Sequence, residues 1–139
     1  MTSLTLTEAQ DEMLTMFKNG WDGTELSAFY DEVSADRAND LSAFVKVYWN
    51  VEESKQVGFG GVGNRMFRRN GTLRFELHTL AEKGLSESNS LITVILNSFE
   101  GKHSPGGVWF SSTNVADMGR NGTFHVVDIA VFFSFDEIK

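Results

Sequence analysis

Gly71-Thr72-Leu73-Arg74-Phe75-Glu76-Leu77-His78-Thr79-Leu80 is the stretch on which the fold turns. Leu73, Phe75 and Leu77 fall on one side of an extended chain, and Arg74, Glu76 and His78 on the other. A period of two with one apolar face predicts a half-buried β-strand over residues 71–80. The same pattern stands upstream over residues 43–51, where Val45, Val47, Trp49 and Val51 alternate with Lys46, Tyr48 and Asn50. Downstream, residues 108–115 and 123–136 read as two more strands, joined near Asn121-Gly122, a pair that favours tight turns. The last strand is the most apolar, with Val127, Ile129, Val131, Phe133 and Phe135 on one face and Phe132 on the other.

A sheet with one apolar face needs a covering layer, and two helical patterns supply it. Thr7 and Gln10 resemble a capping box, followed by Ala9, Met13, Met16 and Phe17 at helical spacing, which predicts a helix over residues 7–19 stopped by Gly20. Ser86 can cap a second helix over residues 86–99, whose Leu91, Ile95 and Phe99 form one stripe widened by Ile92 and Leu96, with Gly101 closing it. Residues 25–40 read as an acidic connection with one short strand at 28–33. Helix, strands, helix, strands without βαβ alternation predicts an α+β fold: a mixed, mainly antiparallel sheet flanked by two helices.

At 139 residues the chain is long enough for one domain with a proper core, expected to span residues 1–139. Its 41% hydrophobic and 22% charged residues exclude a disordered chain. No stretch approaches the roughly 20 apolar residues that span a bilayer. Residues 1–14 carry Glu8, Asp11 and Glu12 where a secretory signal would be basic and then apolar. Without cysteine there are no disulfides and no thiolate chemistry, which fits assembly in a reducing cytoplasm.

The net charge of −7 speaks against a surface that wraps nucleic acid. The distribution is lopsided. Residues 1–53 carry 3 basic and 11 acidic groups, whereas residues 54–75 carry Lys55, Arg65, Arg68, Arg69 and Arg74 and no acid.

Several motifs invite a chemical reading. Gly58-Phe59-Gly60-Gly61-Val62-Gly63 satisfies the letter of G-x-G-x-x-G, but no apolar strand precedes it and residues 64–70 lack helical spacing and end in an Asn-Gly turn. It reads as a flexible inter-strand loop. His78, His103 and His125 are too scattered for zinc-ligand spacing. Asp31 with Glu32, Glu52 with Glu53, and Asp136 with Glu137 read as solvated acids and not as acid/base pairs. The Ser and Thr residues lack a nucleophile elbow. The arginines at 65, 68, 69 and 74 carry three readings: a solvated loop balanced by nearby acids, a docking surface between subunits, or a nucleic-acid contact. The docking reading is favoured, because complementary patches at different places on one molecule associate head to tail and can close into a ring.

The order of motifs resembles that of the tail terminator family of long flexible-tailed phages, also called tail completion or tail-to-head joining proteins. The resemblance rests on Val45-Lys46-Val47-Tyr48-Trp49, the glycine-rich loop, Phe67-Arg68-Arg69-Asn70-Gly71-Thr72-Leu73-Arg74-Phe75-Glu76-Leu77, the helix ending Ser98-Phe99-Glu100-Gly101, Gly107-Val108-Trp109-Phe110, and Val131-Phe132-Phe133-Ser134-Phe135-Asp136. It departs from the family at Phe124-His125, where relatives often carry Trp and a polar residue.

The resemblance implies a non-enzymatic structural protein of the virion with no cofactor or metal. Six copies would form a ring that binds the last ring of the tail tube, ends polymerisation and presents a surface to the head connector. Its expected partners are further copies of itself, the tail tube protein, the connector or stopper protein and, as a further candidate, the tape measure protein. DNA would meet it only in transit through the lumen, and no membrane is involved. It would sit at the head-proximal end of the tail after assembly in the host cytoplasm. Arg65, Arg68, Arg69 and Arg74 are the expected subunit or tail-tube interface. The alternatives are another neck protein, such as a head-closure subunit, and a small nucleotide-binding enzyme using residues 58–63.

Overall fold

The computed structural model describes residues 3–30 and 42–139. Along the chain run α1 (Leu6–Trp21), β1 (Ser27–Tyr30), β2 (Phe44–Gly58), β3 (Met66–Leu80), α2 (Gly84–Phe99), β4 (Trp109–Asn121) and β5 (Phe124–Ile138). The strands form one sheet in the order β1-β2-β3-β5-β4, with β1 parallel to β2 and every other neighbouring pair antiparallel. This is the α+β fold, with a mainly antiparallel sheet and two helices, that the order of helices and strands predicts.

Register follows from the apolar face. Val45, Leu77 and Val127 lie in one cross-strand row, and Val47, Phe75 and Ile129 in the next, all buried. Burying a side chain of this size contributes roughly 1.5–3 kcal/mol over leaving it in water. α1 lays Ala9, Met13, Phe17 and Trp21 on that face at four-residue spacing, and α2 lays Leu91, Ile95 and Phe99 beside them. Phe75 joins the two helices to the sheet, its ring 4.8 Å from that of Phe17 and 5.6 Å from that of Phe99.

The helix ends differ from expectation for local reasons. The capping box is Thr5 with Glu8, each side chain bonding the other's backbone N–H, so α1 starts before Thr7. That choice lets the preceding Leu4 stay buried while its N–H donates to Asp136 O at 3.0 Å. Gly20 does not stop α1. A Cβ there would come 2.5 Å from Ser98 Oγ, so this glycine lets the two helices approach. Ser86 does not cap α2, which begins at Gly84 after a short 3-10 turn over Ala81–Lys83.

The strands outrun their predicted limits. β2 and β3 each span 15 residues, because the outer half of β2 is exposed and that of β3 half-buried on both faces, so neither shows the alternation that marks one buried face. Asn70-Gly71, read as a turn, lies inside β3, where Gly71 pairs with Val51 and Phe133. Asn121-Gly122 does turn the chain from β4 to β5, with Gly122 at φ +64°. The short strand expected at 28–33 corresponds to β1 as far as residue 30, and residues 31–33 lie outside the described residues.

Candidate functional site

Beyond Val51 the β2 edge of the sheet leaves the core, while Phe133 and Phe135 of β5 stay buried in it. Residues 52–57 of β2 are all exposed, yet β2 and β3 stay paired until Gly58 meets Met66, and β5 accompanies β3 as far as Ile138. The result is an arm made of the ends of β2 and β3, exposed along β2, flanked by β5 and tipped by the loop at residues 59–65, while β5 remains in the core through Phe135. Ser3 and Leu4 cover part of the β5 edge, with Ser3 Oγ accepting from Ile138 N at 2.9 Å.

Strand alternation decides what becomes of the arginines. Arg68 points to the open face of the sheet, where its Nε and Nη2 donate to the two oxygens of Asp136 at 2.9 and 3.1 Å and its guanidinium lies 5.0 Å from the centre of the Trp109 ring. The hydrogen bonds to Asp136 push its pKa above the ordinary arginine value. Arg69 points to the other face, donating to Glu137 Oε1 at 2.7 Å and to Ser54 Oγ at 2.9 Å. Arg74 sits farther back on the open face, 4.6 Å from the centre of the Tyr48 ring and 3.4 Å from Asp128 Oδ1. Arg65, just before β3, donates to Gly60 O at 3.3 Å and has no carboxylate partner among the described residues.

These four side chains therefore do not form one loop-borne patch. Two lie on opposite faces of a strand, and the acids read as a bland chain end, Asp136 and Glu137, neutralise them. The 68-residue separation within each pair hides the contact from sequence reading. The only hint is that both the arginine pair and the acid pair are adjacent residues, which any strand would split between two faces in the same way.

The glycine-rich loop joins two antiparallel strands. Asn64 N donates to Gly61 O at 2.9 Å, and Gly63 takes φ +91°, a left-handed conformation that suits glycine. The loop leads into β3 and not into a helix, whereas a dinucleotide site requires a helix to follow it. It instead presents Phe59 and Val62, 92% and 86% exposed.

The open face holds a shallow groove of about 250 Å³ lined by Arg74, Glu76, His78, Met118 and Asp128 among others. The His78 ring stacks on Phe44 at 4.5 Å, and its Nε2 lies 2.8 Å from Glu76 Oε1. An ionised carboxylate only accepts, so Nε2 carries the proton. Burial lowers the pKa of His78 although Glu76 opposes it, and burial raises that of Asp128 although Arg74 opposes it. At 3.4 Å from Arg74, Asp128 Oδ1 has ion-pair distance without a hydrogen bond. His103 and His125 lie elsewhere, against Ser104 O and Asp117. Among the described residues, no group of His, Asp and Glu is placed to hold a metal ion, and no helix is long and apolar enough to cross a membrane.

No family model matches this chain, and no curated protein matches it. Twenty-six solved chains match, among them one with a TM-score of 0.63 at 12% identity, the match covering 90% of this chain and 94% of that one. At that identity the likeness concerns the fold alone.

Proposed function

We propose that this chain is a structural subunit of a phage virion, one of six in a ring that caps the tail tube, ends its polymerisation and joins the tail to the head connector. The reading rests on the resemblance in the order of motifs, and the observation that carries it is the arm. An extension with its β2 residues exposed on both faces, braced between β3 and β5 by the Arg68–Asp136 and Arg69–Glu137 pairs, carries the glycine-rich loop at its tip. Such a braced extension suits docking to a neighbour. An arm at one place and acids at another give unlike complementary surfaces, and contacts of that kind close into rings when the rotation permits.

Within this proposal Arg65 is the contact cation, while Arg68, Arg69 and Arg74 hold the arm and sheet in shape through their own carboxylates. The partners are other copies, the tail tube protein and the connector, with the tape measure protein a further candidate and DNA passing through the lumen. Arg65→Glu tests it. The variant should fold normally by circular dichroism yet leave a terminator-deficient phage with overlong tubes or with tails that fail to join heads. Normal tail length and full infectivity would count against the interface.

A further inference from the structure

The arm's tip and the opposite end of the molecule differ in a complementary way. β3 runs 15 residues, about 50 Å at roughly 3.3 Å per residue, from the tip at Met66 to Leu80 at the far end. At the tip Phe59 and Val62 are exposed, and Lys55, Arg65 and Lys139 have no carboxylate partner among the described residues. Hydrogen bonds from Asn64 N to Gly61 O and from Arg65 Nε to Gly60 O give the loop a set shape, so the two apolar side chains are held outward.

At the far end the start of α2 exposes Leu85 by 62%. Glu82 and Glu87 flank it in sequence. Glu87 Oε2 reaches Lys83 at only 3.6 Å, and Oε1 is buried without a hydrogen bond. Asp22 and Glu25, where α1 ends, add exposed acids to the same end of the sheet. The tip is thus apolar and basic, and the far end apolar and mainly acidic, with Asp22, Glu25, Glu82 and Glu87 outnumbering Lys83 and Arg120. Both belong to one chain, so a second copy offers each end its complement.

We propose that the arm of one copy docks against the start of α2 in a second copy, with Phe59 and Val62 covering Leu85 while Lys55 and Arg65 meet Glu82 and Glu87. This rests on the ring reading and names the surface by which one copy holds the next. The contact is heterologous, since tip and far end are different surfaces, and so it propagates around a ring instead of stopping at a dimer. The exposed apolar groups supply the attraction, and the charges set orientation and partner.

The absence of cysteine makes the test direct. Phe59→Cys and Leu85→Cys are each introduced into the full-length protein, and the two variants are mixed under mild oxidation. The docking predicts a mixed disulfide dimer from the mixture and little from either variant alone, while a chain carrying both changes should give a ladder ending at the hexamer. Adding Lys55→Glu with Arg65→Glu to the Phe59→Cys chain should abolish the product, and adding Glu82→Lys with Glu87→Lys to the Leu85→Cys chain should restore it. Linkage of Phe59→Cys to itself would mean that tips meet tips and would overturn the proposal. A wild-type hexamer whose mixture gives no mixed product would overturn this docking and leave the ring reading standing. Protein that stays monomeric at every concentration and gives no product would count against both.

Discussion

The ring of Phe133 occupies the space that a side chain on residue 71 would need: a Cβ built on Gly71 would come 2.5 Å from Phe133 Cζ and would also strike Asn50 O. Phe133 stacks on Trp49 at 4.8 Å, so an aromatic pair crosses the sheet where the arm leaves the core. Gly71→Ala should therefore destabilise the protein, although Ala normally favours a strand over Gly. Overpacking of this kind costs about 1–3 kcal/mol, against a gain of roughly 0.5–1 kcal/mol from the lost flexibility of glycine. Urea unfolding measures the difference. Unchanged or increased stability would mean that Phe133 moves aside freely.

Arg69 and Glu137 are a shielded pair, with side chains 11% and 18% exposed. Arg69→Met should lower stability by about 1–3 kcal/mol, because it leaves the Glu137 carboxylate short of its donor. Adding Glu137→Leu should recover part of the loss, and the double-mutant cycle reads the coupling. Arg65→Glu, at an exposed position, should change stability by no more than about 0.5 kcal/mol. Equal losses for Arg65→Glu and Arg69→Met would contradict this division between docking and bracing.

His78 makes stability depend on pH. Burial between Phe44 and Phe124 lowers its pKa below the ordinary value of 6.5, against the pull of Glu76 and with help from Lys46. The unfolded chain therefore takes up a proton that the folded chain resists. This contribution is complete above pH 6.5 and is lost as pH falls from there through the folded pKa, with a limiting slope of about 1.4 kcal/mol per pH unit. Asp128, which faces the same groove as Arg74 and Glu76, has a raised pKa and acts in the opposite direction at more acid pH. Comparing wild type with His78→Gln isolates the histidine. Parallel stability–pH curves for the two would refute it.

The parts of this molecule legible in the sequence are those where one face is buried. Leu73, Phe75 and Leu77 announce their strand, and Leu91, Ile95 and Phe99 their helix, because burial imposes a period. The arm is not legible, because Glu52 to Val57 are exposed on both faces and no period is imposed. Asn70-Gly71 carries the letters of a turn, and only the three-dimensional approach of Phe133 explains why glycine stands there. The arginines are legible as a charged run, but their division between two faces and their pairing with Asp136 and Glu137 depend on the β3–β5 register, which no local pattern encodes.

The proposed ring is tested most sharply by a reconstruction of the particle into which this chain assembles. Six copies are expected in one ring at the head-proximal end of the tail, between the last ring of the tube and the connector. Single copies, or a ring at the distal tip, would contradict it.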